Sequence, residues 1–215
     1  GALLPALAWV LEWSILSRHC IRPLPRRHAF MLLVLPNLFI ALYFFHYVLT
    51  GKLVAGYAIR PFTLVERLLT EARVISEYLT YWFIPRSQMR GVFSDDFSIS
   101  HSITDPISTL PATLCIVTLM AVGFAARRKH PLLALGLLFF FMGHALESGP
   151  LPLELYFEHR NYLPTTLLIL PICIFITDHL RSVVLRRAIA ALTLLVPAAL
   201  TGWLSILWGN SAELT

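Results

Sequence analysis

The sequence predicts an all-α, polytopic transmembrane helix bundle of about six spans, with an amphipathic interfacial helix in its first outer loop. Three observations predict it. Of 215 residues, 57% are hydrophobic and 13% charged, with a mean hydropathy of +0.72; soluble domains use roughly 45–50% apolar and about 25% charged residues. The apolar residues gather into six runs near the length that crosses a bilayer. The connections between those runs alternate in charge, one basic and the next acidic.

The spans fall near residues 2–17, 28–49, 110–126, 131–146, 161–179 and 188–208. Arg18, His19, Arg22, Arg26 and Arg27 separate the first two; Arg127, Arg128 and Lys129 separate the third and fourth; Arg181, Arg186 and Arg187 separate the last two. The other connections, 50–109 and 147–164, hold nearly all the acids. Lys and Arg are retained on the cytoplasmic side, so the acidic loops are expected to face outward. Pro5, Pro36, Pro171 and Pro197 lie within spans, where neighbouring helices can satisfy the carbonyls that proline frees.

The long loop 50–109 contains its own helix. In Pro61–Ile84 the residues Leu64, Leu68, Ala72, Ile75, Leu79 and Trp82 recur three or four apart, which makes one apolar helical stripe. Thr63 with Glu66 has the spacing of a capping box, and Pro85 closes the segment. Glu66, Arg67, Glu71, Arg73 and Glu77 are assigned to the other faces. An amphipathic helix ending in Tyr81, Trp82 and Phe83 is expected to lie along the outer membrane interface; a plain surface helix is the simpler alternative. Ser87–Thr109 reads as a polar, turn-rich return to the bilayer.

The net charge of +5 is spread in short groups rather than over one basic face, which points away from nucleic acid. Cys20, Cys115 and Cys173 are far apart; Cys115 and Cys173 fall within apolar runs and read as small buried hydrophobes, with no disulfide framework or zinc site. Gly1-Ala2-Leu3-Leu4-Pro5 opens on an apolar run without a signal-peptide pattern, as though cut from within a longer chain.

The densest chemistry lies at 154–162. Glu154, Glu158, His159, Arg160, Asn161 and Tyr162 stand at the mouth of the fifth span. Arg160 has the fork that binds phosphate, and His159 can donate a hydrogen bond or shuttle a proton, so an anionic lipid headgroup is the expected ligand, with Asn161 and Tyr162 beside it. Arg73 and Glu77 would join the same pocket if they turn toward the protein. Glu158 is a candidate for a catalytic base, and more naturally orients Arg160. The simpler alternative is a set of interfacial polar residues that closes the loop. His46, His144 and Glu147 lie near outer span ends, where hydrogen-bonded structural roles are expected. No metal site has ligand spacing, although Asp95-Asp96 could hold a hydrated divalent cation.

Two strings carry a family resemblance: Phe62-Thr63-Leu64-Val65-Glu66-Arg67-Leu68-Leu69-Thr70-Glu71-Ala72-Arg73, and Glu158-His159-Arg160-Asn161-Tyr162-Leu163-Pro164. With them, nearly the whole chain resembles the membrane part of bacterial multi-pass proteins that carry tetratricopeptide repeats after their last span. Those are similar to the eukaryotic transmembrane-and-tetratricopeptide-repeat O-mannosyltransferases and to pilin glycosyltransferases of the GT-C class. The resemblance implies transfer of a sugar from a polyprenyl-phosphate donor to a protein or glycan acceptor, at the periplasmic face of a bacterial inner membrane.

It also implies that residues 1–215 are the C-terminal part of the GT-C-like domain. In such enzymes the catalytic acid lies in the first outer loop, upstream of this region, so the fragment is expected to be inactive alone. A polymerase or ligase of lipid-linked glycans would share the donor chemistry. A transporter module or a noncatalytic scaffold needs none of it, but the mid-bilayer charges and paired broken helices of a transporter are not seen.

Overall fold

Helix formation follows the apolar runs. The computed structural model describes residues 2–17, 24–83 and 97–209, and among these the regular structure is helical throughout, with no strand. In chain order the helices are α1 (Leu4–Leu16), α2 (Arg26–Leu49), α3 (Lys52–Tyr57), α4 (Leu64–Phe83), α5 (Thr109–Ala126), α6 (Pro131–His144), α7 (Tyr162–His179) and α8 (Val183–Gly209). Four are long and apolar enough to cross a membrane: α2, α5, α7 and α8 over Val183–Trp203. α1 and α6 are apolar but shorter.

The centre of the packing is α6. Its residues Ala134, Leu135, Leu137, Leu138 and Phe140 are buried, so this helix is apolar because protein surrounds it. Val10 of α1 packs with Ala134, Leu135 and Leu138, while Ile75 of α4, Ile116 of α5 and Leu168 of α7 cluster with Leu137 and Phe140. Two glycines one heptad apart let α7 approach. A Cβ on Gly136 would stand 3.0 Å from the Leu167 carbonyl, and one on Gly143 would stand 2.8 Å from Pro164 Cγ. Small residues on one face permit such close helix packing in membranes.

The prolines mark the irregular turns. Residues 166–168 of α7 loosen into a turn shortly before Pro171, and the turn Phe30–Val34 of α2 is π-helical just before Pro36. There the Asn37 side-chain amide donates to the Leu33 carbonyl at 2.6 Å, supplying a donor where the backbone ladder is disturbed.

At one end of the bundle, Arg127 past α5 lies over the Trp13 ring of α1, 3.8 Å from its centroid. The two long connections, 50–109 and 147–164, meet each other at the opposite end.

The structure corrects four expectations. α8 begins at Val183, which puts Arg186 and Arg187 in its first turns rather than in a loop and leaves a connection of only Leu180–Ser182. The loop 50–109 holds a further helix, α3, made possible by Gly51 at φ +71°, the left-handed conformation that glycine adopts without a Cβ clash. Cys115 and Cys173 are exposed on the outward faces of their helices rather than buried. Arg67 and Glu71 are not on a solvent face of α4: they are 0% and 2% exposed. Of the expected apolar stripe of α4, Ala72, Ile75 and Leu79 pack against α5 and α6, whereas Leu68 is 45% exposed. Pro85, Asp95, Asp96 and Cys20 lie outside the described residues, as do the side chains of Trp82 and Phe83.

Candidate functional site

The site is built on α4, whose start is fixed locally. The Thr63 backbone N–H donates to Glu66 Oε2 at 2.8 Å, the Thr63 hydroxyl donates to the same oxygen at 2.9 Å, and the Glu66 N–H returns to Thr63 Oγ1 at 3.3 Å. This is the capping box that the spacing predicts. His101 Nδ1 meets Glu66 Oε1 at 2.7 Å. The Thr63 N–H, with His101 beside it, holds the Glu66 carboxyl down at about 2.

One turn on, Arg67 joins α4 to the 147–153 loop through the main chain. Its Nε donates to the Gly149 carbonyl at 3.0 Å and its Nη2 to the Glu147 carbonyl at 2.5 Å, while Nη1 donates to the Leu153 carbonyl. Nη2 also stands 3.0 Å from Glu71 Oε1. That last contact is an ion pair without hydrogen-bond alignment, for Oε1 has no hydrogen-bond partner. Burial raises the Glu71 carboxyl to about 7 against the opposing pull of Arg67 and the Ser148 hydroxyl, as desolvation does to any carboxylate. Nearby, Arg60 donates through Nε to the Pro152 carbonyl at 2.9 Å and pairs with Glu154 at 3.3 Å.

The 157–161 segment is docked with equal economy. Tyr78 Oη donates to the Phe157 carbonyl at 2.8 Å and accepts from the Phe157 N–H at 2.9 Å. The Tyr78 ring stacks on His144, 5.5 Å between centroids. His144 is 2% exposed, and its Nε2 pairs with Asn161 Oδ1 at 3.3 Å. The Asn161 amide also donates to the Tyr78 carbonyl at 3.4 Å. Asn161 therefore seats a short 3-10 turn, Glu158–Asn161, over the end of α6.

Arg160 is held beside this turn. Its Nη1 donates to the Glu154 carbonyl at 2.7 Å, its Nε lies 3.3 Å from Glu147 Oε2, and its Nη2 lies 3.9 Å from Glu154 Oε2. The guanidinium also covers the Phe157 ring at 4.5 Å, a favourable cation–π position.

Arg160, Glu147 and Tyr162 form the polar end of an apolar cleft of about 710 Å³. Its walls are Leu4, Leu7 and Leu11 of α1, Phe139 and Gly143 of α6, and Leu163 and Pro164 of α7. A cation at the end of an apolar slot in a membrane protein can hold an anionic headgroup while the slot takes its hydrocarbon.

The other predicted residues divide. Asn161 supports the fold, as described, and Tyr162 is 79% exposed on the rim of the cleft. The side chains of Glu158 and His159 lie outside the described residues. Arg73 does not turn toward Arg160: its Nη1 donates to the Ser98 carbonyl at 2.7 Å and its Nη2 to Ser98 Oγ at 3.0 Å, with the Phe97 ring below. Glu77 accepts from the Tyr81 hydroxyl on its own helix. Among the described residues no three His, Cys, Asp or Glu side chains converge as a metal site would require.

Sequence reasoning missed Arg67, Glu71 and Tyr78 as the residues that assemble the site. A signal was present. Arg67, Thr70, Glu71, Val74 and Tyr78 recur at helical spacing beside the apolar stripe, and all of them are buried. Compared with models of protein families, with curated proteins and with solved structures, the chain matches none.

Proposed function

We propose that this chain is the membrane segment of a glycosyltransferase that binds a polyprenyl-phosphate-linked sugar at the outer face of a bacterial inner membrane. In this reading α1 and α6 complete a set of six spans, the basic connections are cytoplasmic, and the two long loops are periplasmic, with α4 near the outer interface. The charge alternation between connections supports the orientation. The cleft supports the ligand, because its walls are apolar from Leu4 to Leu11 and its one described cation, Arg160, stands at the long-loop end.

The chemistry follows from that arrangement. An acceptor hydroxyl attacks the anomeric carbon, the bond from that carbon to the phosphate oxygen breaks, and the electron pair leaves with the lipid phosphate. Fixed positive charge at the departing oxygen stabilises this step. Arg160 supplies it once Glu147 and Glu154, whose side chains are 42% and 51% exposed, swing into water and free its fork. The proton of the acceptor hydroxyl passes to a carboxylate that acts as the general base. Arg73 is placed outside this site, because Ser98 and Phe97 hold its guanidinium.

The alternative is that Arg160 is wholly structural, and its two carboxylate partners are the observation that favours it. Native mass spectrometry in detergent with added polyprenyl monophosphate separates the two. Binding is expected to weaken roughly ten- to hundredfold in Arg160→Ala, the worth of a charged hydrogen bond, and to persist in Arg73→Ala. Equal binding by the parent chain and Arg160→Ala would leave the arginine a structural role only.

A further inference from the structure

We infer that α3 and the residues flanking it form a membrane-surface anchor, in which Leu49, Val54 and Ile59 dip into the lipid at the long-loop end of the bundle. The inference rests on which face of α3 is committed to protein. A Cβ on Gly56 would stand 2.5 Å from Pro152 Cγ, so the two segments touch there. The Tyr57 hydroxyl donates to the Pro150 carbonyl at 2.8 Å, and Arg60 Nε donates to the Pro152 carbonyl at 2.9 Å. These contacts fix the rotation of α3 about its axis.

Away from these contacts, apolar side chains of α3 and of the residues flanking it are uncovered. Leu49 is 69%, Val54 73% and Ile59 83% exposed. The occupant is set by the chain path. α2 is a membrane-length apolar helix ending at Leu49, and only Thr50 and Gly51 separate it from α3. Gly51, at φ +71°, turns the chain at once, so α3 lies at the level where α2 leaves the bilayer. The outward residues of α2, Leu38, Leu42 and Phe45, are themselves exposed, and the apolar surface runs from them through Leu49 onto Val54 and Ile59.

With α2 across the bilayer, as in the proposed function, lipid covers the first part of that surface and the same leaflet covers the rest. Lys52, exposed at the start of α3, can extend its ammonium toward the headgroups while its stem stays in the apolar layer. A groove of about 550 Å³ between α3 and residues 61–66 is lined by Leu53, Val54, Tyr57, Phe62 and Leu64 together with the polar Arg60, Thr63 and Glu66, so it presents both apolar and charged groups beside α3. The exposed residues of α3 and its flank after Lys52, namely Val54, Ala55, Ala58 and Ile59, carry no charge.

The test places a nitroxide at Val54→Cys, Ile59→Cys or Ser102→Cys, with Cys20, Cys115 and Cys173 changed to Ser, and the full chain in lipid nanodiscs. Collisions with oxygen report lipid, and those with a water-soluble nickel chelate report solvent. Val54 and Ile59 are expected to favour oxygen several-fold over Ser102, which sits exposed in the turn at 101–105. Nickel access at 54 and 59 equal to that at 102 would overturn the anchor. Shielding from both reagents would also overturn it, by showing protein on this face. Hydroxyl-radical footprinting of the unsubstituted chain gives the same contrast without labels: the peptide 49–60 is expected to oxidise more slowly than 101–109, and equal rates would count against lipid contact.

Discussion

Arg67 Nε donates to the Gly149 carbonyl at 3.0 Å, across 82 residues of sequence, and the same guanidinium reaches the carbonyls of Glu147 and Leu153. Removing it strands three carbonyls and leaves Glu71 buried without its cation. Breaking a buried pair by deleting one partner costs about 3–5 kcal/mol. Arg67→Met is therefore expected to lower the thermal unfolding midpoint in detergent steeply. Arg67→Met with Glu71→Leu should lose less than Arg67→Met alone, since the orphaned charge is gone. Additive losses would show that the two side chains are not coupled.

Glu71 also predicts a pH dependence. Its carboxyl is raised from 4.5 to about 7 in the folded chain, so between those values the folded state holds a proton that the unfolded state has released. Its contribution is fully present below about 4.5 and is lost as pH rises toward 7. Glu66 has the opposite sign: lowered to about 2, it stabilises above 4.5 and loses that contribution only as pH falls below. From pH 5 to 7.5 the Glu71 slope stands apart from Glu66. The unfolding midpoint of Glu71→Gln should fall less across this range than that of the parent chain; an unchanged slope would assign the dependence to other groups.

Gly143 carries the approach of α6 to α7. An added methyl would stand 2.8, 2.9 and 3.0 Å from Cγ, Cβ and Cα of Pro164, and the Cα belongs to backbone that cannot step aside. Gly143→Ala is expected to cost roughly 1–3 kcal/mol by overpacking and to loosen the neighbouring Asn161–His144 contact. Gly202→Ala in α8 is the matched control, with nothing within 4 Å of its Cβ. There the gain in helix propensity, up to about 1 kcal/mol, should hold or raise the midpoint.

What the sequence made legible is what depends on neighbours in the chain. Hydropathy marks the apolar helices because a helix satisfies its own backbone within one segment. The Thr63–Glu66 box is legible because both partners lie within one turn. The burial of Arg67 and Glu71 is not, since the groups that make a charge tolerable there are carbonyls 80 to 86 residues away, and every residue type has a carbonyl. The cluster at 154–162 stood out by its charge density, but its roles needed tertiary contacts. Only the structure separates Asn161, which seats the turn on His144, from Arg160, which borders the cleft, and sends Arg73 to Ser98 instead.

The clasp between the two long loops is written in main-chain atoms on one side. Arg67, Arg60 and Tyr57 address the carbonyls of residues 147, 149, 150, 152 and 153, so the side chains of that strip, apart from Ser148 beside Glu71 and the glycine and prolines that shape it, are under little obligation to α4. Such a joint can keep its geometry while one partner's sequence drifts, and it leaves no paired substitutions to betray it. The 147–153 strip could thus be exchanged for another of the same backbone path that keeps a hydroxyl at 148, without unseating the helix that holds it.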